Sequence, residues 1–286
     1  MKTTLTLKRS HIDKPPLNGR FFVMCLATIV FLIPAIWLVL TALKTENQYS
    51  AYPIVWVPNP PQWINFLQAV TIIPFFKYAG NSLFLATTSA VLTTFSSALA
   101  GFGFARHTGV KARNGLFIFV LSMIMVPSMV TLIPRFVLYS RLGLIGTYWP
   151  WILESAAGSP FHIFLFKQFF STIPRDLEDA AEVDGCSRFR IFWQIFLPNS
   201  GAVIATSLIF NFQYVWGEWI RPVLYLTDYN TTLAVKMASG YLDPMQNQLV
   251  TPLMAAICIY ALPLIFIFFF AQKNIIQGVV TSGLKG

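Results

Sequence analysis

Six charged side chains stand close together at positions 178–190, between two long apolar segments. They are Glu178, Asp179, Glu182, Asp184, Arg188 and Arg190. Each charge costs roughly 2.5–3.5 kcal/mol at the centre of a bilayer, so burying all six would cost on the order of 15–20 kcal/mol. This stretch must therefore lie in water on one side of a membrane. The sequence contains no convergent His, Asp or metal-ligand set, which argues against a membrane-embedded enzyme.

The residues around this charged stretch predict a helix, a tight turn and a second helix. Pro174 suits a first helical turn, and the acids that follow it complement the positive end of the helix dipole. Gly185 is a plausible terminator of the first helix. The second helix would present an apolar stripe at i, i+3, i+4 and i+7 and would end at Pro198. The stripe consists of Phe189, Phe192, Trp193 and Phe196. A solvated loop capped by an amphipathic interfacial helix is an alternative that fits the same local features.

The spacing of small residues within the stretch is specific. Asp179, Ala180 and Ala181 are followed by three residues, then Gly185, nine residues, and finally Ile-x-Leu-Pro at 195–198. This pattern resembles the cytoplasmic loop of ABC importer permeases, whose motif is Glu-Ala-Ala-x3-Gly-x9-Ile-x-Leu-Pro. Asp179 replaces the glutamate of the motif, and Glu178 supplies a second carboxylate beside it. The resemblance implies that this coupling loop, residues 174–198, docks on an ATPase subunit. The docking residues would be Glu178, Asp179, Ala180, Ala181, Asp184 and Gly185.

The composition of the whole chain is that of an integral membrane protein. The 286 residues are 56% hydrophobic and only 11% charged, with a mean hydropathy of +0.62, whereas soluble domains carry about 25% charged residues. Six segments are long and apolar enough to span a bilayer. They cover residues 21–43, 79–105, 115–134, 146–166, 201–220 and 250–271. The sequence thus predicts an all-α membrane protein with six transmembrane helices. The second segment is rich in Ser, Thr, Ala and Gly, which predicts a closely packed helix interface.

The distribution of basic residues predicts the orientation in the membrane. With the N-terminus inside, 14 of the 20 Lys and Arg fall in inner segments and 6 in outer ones. This bias predicts both termini and the coupling loop in the cytoplasm. The predicted organisation is an N-terminal tail (1–20), a first helix (21–43), an extracytoplasmic loop (44–77), a core permease domain (78–272) and a C-terminal tail (273–286). The positive charge is explained by topology and anionic lipid, so no nucleic-acid partner is expected.

Polar side chains in the fifth segment are candidates for a translocation path. Asn211, Gln213, Tyr214 and Glu218 are expensive in a membrane unless they face protein or water. Asn211, Tyr214 and Glu218 follow helical spacing and could share one face. An aromatic ring beside amide and carboxylate groups can bind a sugar by stacking and hydrogen bonding. A structural network between helices explains the same residues equally well.

The end of the chain strengthens the resemblance. Residues 272–286 resemble the closing stretch of carbohydrate-uptake permeases of the maltose-importer type, with a Gln-x5-Gly spacing and a final Lys-Gly. The resemblance extends over roughly 78–286 and implies contacts of Gln277, Gly278 and Lys285 with the ATPase.

The resemblance implies a type I ABC importer permease that moves a sugar or oligosaccharide across a bacterial or archaeal cytoplasmic membrane. Its partners would be a second homologous permease, two ATP-binding subunits and an extracytoplasmic solute-binding protein. The chain has no G-x4-G-K-[ST] loop, so ATP and magnesium are expected in the partner subunits and no cofactor or metal in this chain. It is accordingly expected to be a transport subunit and not an enzyme. The alternative is an ion-coupled secondary transporter with Glu154 and Glu218 as relay groups.

Overall fold

The computed structural model describes residues 19–107, 109 and 111–283, with the side chains of Arg20 and of 273–283 excepted. Regular structure in these residues is helical, apart from an isolated bridge between Leu242 and Gln248. The helices in chain order are α1 (Gly19–Ala42), α2 (Glu46–Ser50), α3 (Ile64–Thr71), α4 (Phe75–Arg106), α5 (Arg113–Ser122), α6 (Ser128–Arg141), α7 (Trp149–Ala156), α8 (Pro160–Thr172), α9 (Asp176–Val183), α10 (Arg188–Ile191), α11 (Gly201–Gly217), α12 (Ile220–Tyr225), α13 (Leu233–Ser239) and α14 (Val250–Gly283).

Three of these helices are each long and apolar enough to cross a membrane without a break. They match the first, second and sixth predicted spans and cover Phe21–Ala42, Phe75–Arg106 and Val250–Gln272. The described residues contain up to five spans if each of two bent helix pairs counts as one. The helix α14 also continues through most of the predicted C-terminal tail to Gly283, because no proline interrupts it after Pro263.

The third predicted span is not a single straight helix. Helix α5 ends in a 3-10 turn at Met123–Met125, and α6 then leaves at 98° to it. Pro127 causes the break, since it has no backbone N–H and forces the preceding Val126 into an extended conformation, with ψ of 115°.

The fourth predicted span, 146–166, is wrong as one continuous helix. It consists of α7 and α8, separated by a turn in which Gly158 has a φ of +79°. Pro160 starts α8, and the backbone N–H of Ser159 donates to Ser97 Oγ at 3.0 Å. The turn therefore depends on glycine conformational freedom and on a hydroxyl of the neighbouring helix.

Helix α4 forms the centre of the bundle and packs on α7, α8 and α11. Many of its small residues are buried, as the sequence predicts, although Thr87 is exposed, and Thr94 shares a 2.8 Å hydrogen bond with Ser207 of α11. The closest approach is at Gly101, where an added Cβ would lie 2.7 Å from Phe166 Cβ and 3.0 Å from the backbone nitrogen of Lys167. Helices α4 and α8 are therefore in near-backbone contact at Gly101.

Side-chain hydrogen bonds stabilise two of the connections between helices. The amide of Asn65, which is buried, donates to the carbonyls of Ala42 and Lys44 at 2.9 and 2.7 Å. Before α14, the side chain and the backbone N–H of Asn247 donate to Asp243, which lowers the pKa of that carboxyl below its usual value.

Substitution of Gly101 by alanine should destabilise the protein, whereas the same change at Gly103 should not. The Gly101 methyl group would overlap Phe166, at a cost of about 1–3 kcal/mol. Gly103 lies on the same helix with no atom within 4 Å of an added Cβ, so Gly103→Ala should be neutral or stabilising by up to about 1 kcal/mol. Thermal unfolding of the purified variants measures the difference. Equal melting temperatures for the two variants would contradict the close contact between α4 and α8.

Candidate functional site

The coupling loop has the predicted helix–turn–helix shape. Helix α9 carries three acids in its first turn and no basic residue in its last. It ends at Val183, and Gly185, two residues later, has a φ of +78°. The N–H of Gly185 donates to the carbonyl of Glu182 at 3.0 Å and the N–H of Cys186 to that of Ala181 at 2.9 Å. These paired bonds form a Schellman cap, and its left-handed position explains why glycine stands there.

Most of the predicted docking residues share one exposed surface. Asp179, Ala180, Asp184 and Gly185 are exposed, and Ala181 is half-buried. No atom lies within 4 Å of an ideal Cβ at Gly185. The turn is therefore open within this chain and leaves room for another protein to approach.

Glu178 points inward instead, and only 6% of its surface is exposed. Its carboxylate lies 3.6 Å from Arg106 Nε and is hydrogen-bonded by Arg188 of α10. Arg188 also contacts Glu182 at 2.8 Å. Glu178 is thus placed to bind the two helices of the loop to each other and to the bundle, which differs from the surface role that the sequence analysis gave it.

Arg106, the partner of Glu178, was predicted only as one of the basic residues that set the orientation in the membrane. It is the last residue of α4, and its guanidinium donates to the carbonyls of Phe170 and Ile173 at 2.7 and 2.5 Å. It also lies 4.9 Å from the centre of the Phe196 ring. Arg106 therefore joins the end of α4, the end of α8 and the coupling loop. A basic residue at a helix end was the available signal, but its partners are distant in sequence.

An aromatic cluster supports this junction. Phe102, Phe166, Phe170, Phe192 and Phe196 are all buried in one cluster beside the coupling loop. The predicted stripe is divided, because Phe192 and Phe196 are buried while Phe189 and Trp193 are exposed. Ile191 is buried with them, so the buried face is displaced from the predicted stripe. This segment contains a π-helical turn at Phe192–Phe196, in which the N–H of Leu197 donates to the carbonyl of Phe192. The wider turn changes which residues share a face.

A second candidate site is a groove between α6 and the junction of α11 with α12. This groove, called the outer groove after the predicted orientation, has a volume of about 610 Å³ and includes three of the four predicted path residues: Gln213, Tyr214 and Glu218. Tyr214 is 57% exposed. Asn211 is absent from the lining and is 8% exposed, so it is a buried residue of the helix interface. Helix α11 ends at Gly217, and Glu218 has an extended backbone, so the expected helical face does not continue to Glu218.

The two carboxylates of the predicted spans are held by arginines. Arg221 donates to both oxygens of Glu218 and contacts Glu154 at 2.6 Å. Arg135 contacts Glu154 at 3.4 Å, and Tyr139 donates to it at 2.8 Å. Both arginines are among the six basic residues of the predicted outer segments, and their positions in the sequence did not indicate a pairing with these acids. The pairs of Glu154 with Arg135 and with Arg221 join different helices. Only the pair of Glu218 and Arg221, with its i,i+3 spacing, could have been predicted from neighbouring residues.

Residues 97–281 match the family of binding-protein-dependent transport system inner membrane components. The chain belongs to this family. The match includes the coupling loop and the outer groove, and it confirms the resemblance predicted from the loop and the tail. The family consists of membrane permease subunits, and the ATPase activity of such transporters is in separate subunits, so the chain is a transport subunit and not an enzyme.

Curated relatives align along nearly their whole length. The arabinooligosaccharides transport system permease protein AraQ of Bacillus subtilis is 32% identical, covering 93% of this chain and 94% of the relative. The sulfoquinovosyl glycerol transport system permease protein SmoH of Agrobacterium fabrum is 29% identical, covering 93% of each chain.

A solved structure has the same fold. A chain of a bacterial ABC transporter that imports the acidic polysaccharide alginate superimposes with a TM-score of 0.78 at 15% identity, covering 90% of this chain and 95% of that one. The all-α fold of a type I ABC importer permease is thereby confirmed.

The predicted contacts of the C-terminal tail fall at the limit of the structure. Gln277 and Gly278 lie within α14, where the structure describes only the backbone, and Lys285 lies outside the described residues.

Glu178→Gln should destabilise the coupling loop much more than Glu182→Gln. Loss of the buried carboxylate leaves Arg106 without a counter-charge, at a cost of about 3 kcal/mol. Glu182 has an exposed pair with Arg188, worth less than about 1 kcal/mol. Glu178→Gln should be cleaved faster within residues 174–198 in limited proteolysis and should unfold at a lower temperature than Glu182→Gln. Equal protease resistance of the two variants would contradict the inward role of Glu178.

Proposed function

We propose that this permease imports a saccharide through an ABC transporter and is driven by ATPase subunits that dock on α9. The observation that carries the proposal is the exposed, acidic helix α9 at the end of an apolar bundle, with an open glycine turn. The names of the relatives, which include transport systems for arabinooligosaccharides and sulfoquinovosyl glycerol, support the substrate class.

The proposed assembly contains a second homologous permease, two ATP-binding subunits and an extracytoplasmic binding protein. ATP and magnesium bind to the ATP-binding subunits, and this chain binds neither. A solved alginate transporter with the same fold forms a complex with a periplasmic binding protein, which supports the last partner (TM-score 0.56). Exposed apolar residues on α5 and α6, such as Ile118 and Ile133, suit contact with lipid or with the second permease.

In the proposed mechanism the ATPase contacts Asp179, Ala180, Ala181, Asp184 and Gly185. Gln277, Gly278 and Lys285 of the tail add further contacts. Movement of α9 passes to the bundle through Glu178 and Arg106, because this pair joins the loop to the end of α4. A rigid, ion-paired connection of this kind can turn docking into a tilt of the spanning helices.

The outer groove is the proposed wall of the sugar path in this chain. The exposed ring of Tyr214 can stack on a sugar, and Gln213 and Glu218 can form hydrogen bonds with hydroxyl groups. Asn211 contributes through packing between helices. The proposed orientation has both termini and the coupling loop in the cytoplasm, which is supported by the excess of Lys and Arg in the inner segments.

Gly185→Arg should abolish transport while the chain remains inserted in the membrane. The long charged side chain would hold the turn away from the ATPase groove, and the positive φ adds strain. Gly185→Asn is the control, because asparagine accepts the left-handed conformation and adds less bulk. Co-purification of the ATPase subunits and uptake into cells measure the effect. Normal uptake by Gly185→Arg would rule out docking at this turn.

Uptake into reconstituted vesicles should require ATP on the side of the coupling loop and should tolerate an uncoupler. Glu218→Gln should reduce uptake through a weaker contact with Arg221 and should leave this energy requirement unchanged. The solute is chosen as the saccharide that stimulates the ATPase through the binding protein. Uptake that persists without ATP and is lost with the uncoupler would favour the ion-coupled alternative.

A further inference from the structure

A small pocket at the inner end of the bundle combines positive charge with an apolar wall. It has a volume of about 290 Å³ and lies between the end of α4, the start of α5 and the middle of α8. Its lining consists of Phe104, Arg113, Asn114, Phe117, Ile118 and Lys167. This inner pocket thus contains two cations, one amide and no carboxylate.

The two cations are available to a ligand. Among the residues that the structure describes, neither Arg113 nor Lys167 has a carboxylate within 4.0 Å, whereas Arg106, Arg188 and Arg221 are all paired. Arg113 donates only a 3.3 Å hydrogen bond to its neighbour Asn114, and Lys167 Nζ lies 5.0 Å from the centre of the Phe117 ring. Two unneutralised cations around one recess are strongly attracted to an anion.

The helices hold these cations in fixed positions. Phe104 and Phe117 pack with ring centres 5.3 Å apart, which holds α5 against α4. The backbone of Lys167 is held by the close approach of α8 to Gly101. The pocket is therefore built by three helices and does not depend on surface side chains alone.

The apolar side of the pocket continues onto an exposed surface. Ile118 is 66% exposed and Phe119 is 67% exposed, on the same helix as Arg113. A soluble anion would not use this surface, whereas the acyl chain of a lipid would cover it.

We propose that the inner pocket binds the phosphate group of an anionic glycerophospholipid, with an acyl chain against Phe117 and Ile118. Arg113 and Lys167 donate charge-assisted hydrogen bonds to the phosphate oxygens, and Asn114 adds an amide donor. The bound lipid joins α5 to α8. Its contact on α8, Lys167, lies six residues before Ile173, and the carbonyl of Ile173 accepts a hydrogen bond from Arg106. It stabilises the inner end of the bundle beside the coupling loop.

The proposal is tested on the purified transporter complex by native mass spectrometry after reconstitution with phosphatidylglycerol or phosphatidylcholine. The complex should retain phosphatidylglycerol in preference to phosphatidylcholine. The double variant Arg113→Gln/Lys167→Gln should weaken this preference about 30-fold, since each cation near the membrane surface contributes about fivefold. Lys111→Gln is the matched control, because Lys111 is an exposed cation of the same region that does not line the pocket.

Three results would overturn the proposal. Equal loss of phosphatidylglycerol in Lys111→Gln would indicate a general effect of surface charge. Displacement of the lipid by millimolar inorganic phosphate would identify a site for a free anion. Unchanged lipid retention with loss of the ATPase subunits in the double variant would identify a protein contact. Docking at Gly185 is measured on separate variants, so its failure would not affect these outcomes.

Discussion

The ion pair between Arg106 and Glu178 is the interaction on which the part of the molecule around the coupling loop depends. Arg106 ends the central helix α4, holds the last carbonyls of α8 and meets the one buried acid of the coupling loop. Both side chains are buried, and a buried charge is costly unless it is paired, so each partner requires the other. The loop is therefore fixed to the bundle by electrostatics and by the aromatic cluster beneath it, while its exposed face remains free.

Acidic side chains are also paired with arginines around the groove. Glu154 and Glu218 lie in segments that read as membrane spans, and they are tolerated because Arg135, Arg221 and Tyr139 surround them. The resulting network connects α6, α7 and α12 across breaks in the helices. The groove in which Tyr214 is exposed lies at one of these breaks, between α11 and α12. A break in the helix thus accompanies an exposed, partly polar surface.

Much of the fold and of the coupling loop could be predicted from the sequence. Composition indicated a membrane protein, and the spacing from Asp179 to Pro198 indicated the family, because a docking loop needs small residues and a glycine turn at fixed positions. The inward direction of Glu178 could not be predicted, since it depends on Arg106, which is 72 residues earlier in the chain. The division of the fourth span was also missed, because the turn at Gly158 relies on Ser97 of another helix. Helical spacing placed Asn211 and Glu218 together, but the end of α11 at Gly217 separates them.

The π-helical turn at Phe192–Phe196 affects the rotation of the next long helix, α11, about its axis. Such a turn holds one residue more than an α-helical turn, and one residue corresponds to about 100° around a helix axis. The π turn is followed by a 3-10 turn at Pro198–Ser200 and a bend of 43°, after which α11 begins. Shortening the π turn by a single residue would rotate α11 by about 100° against its anchor. Its buried side, with Asn211, and its groove side, with Tyr214, would no longer match their surroundings. The number of residues between α9 and the groove therefore affects which side chains of α11 face the groove.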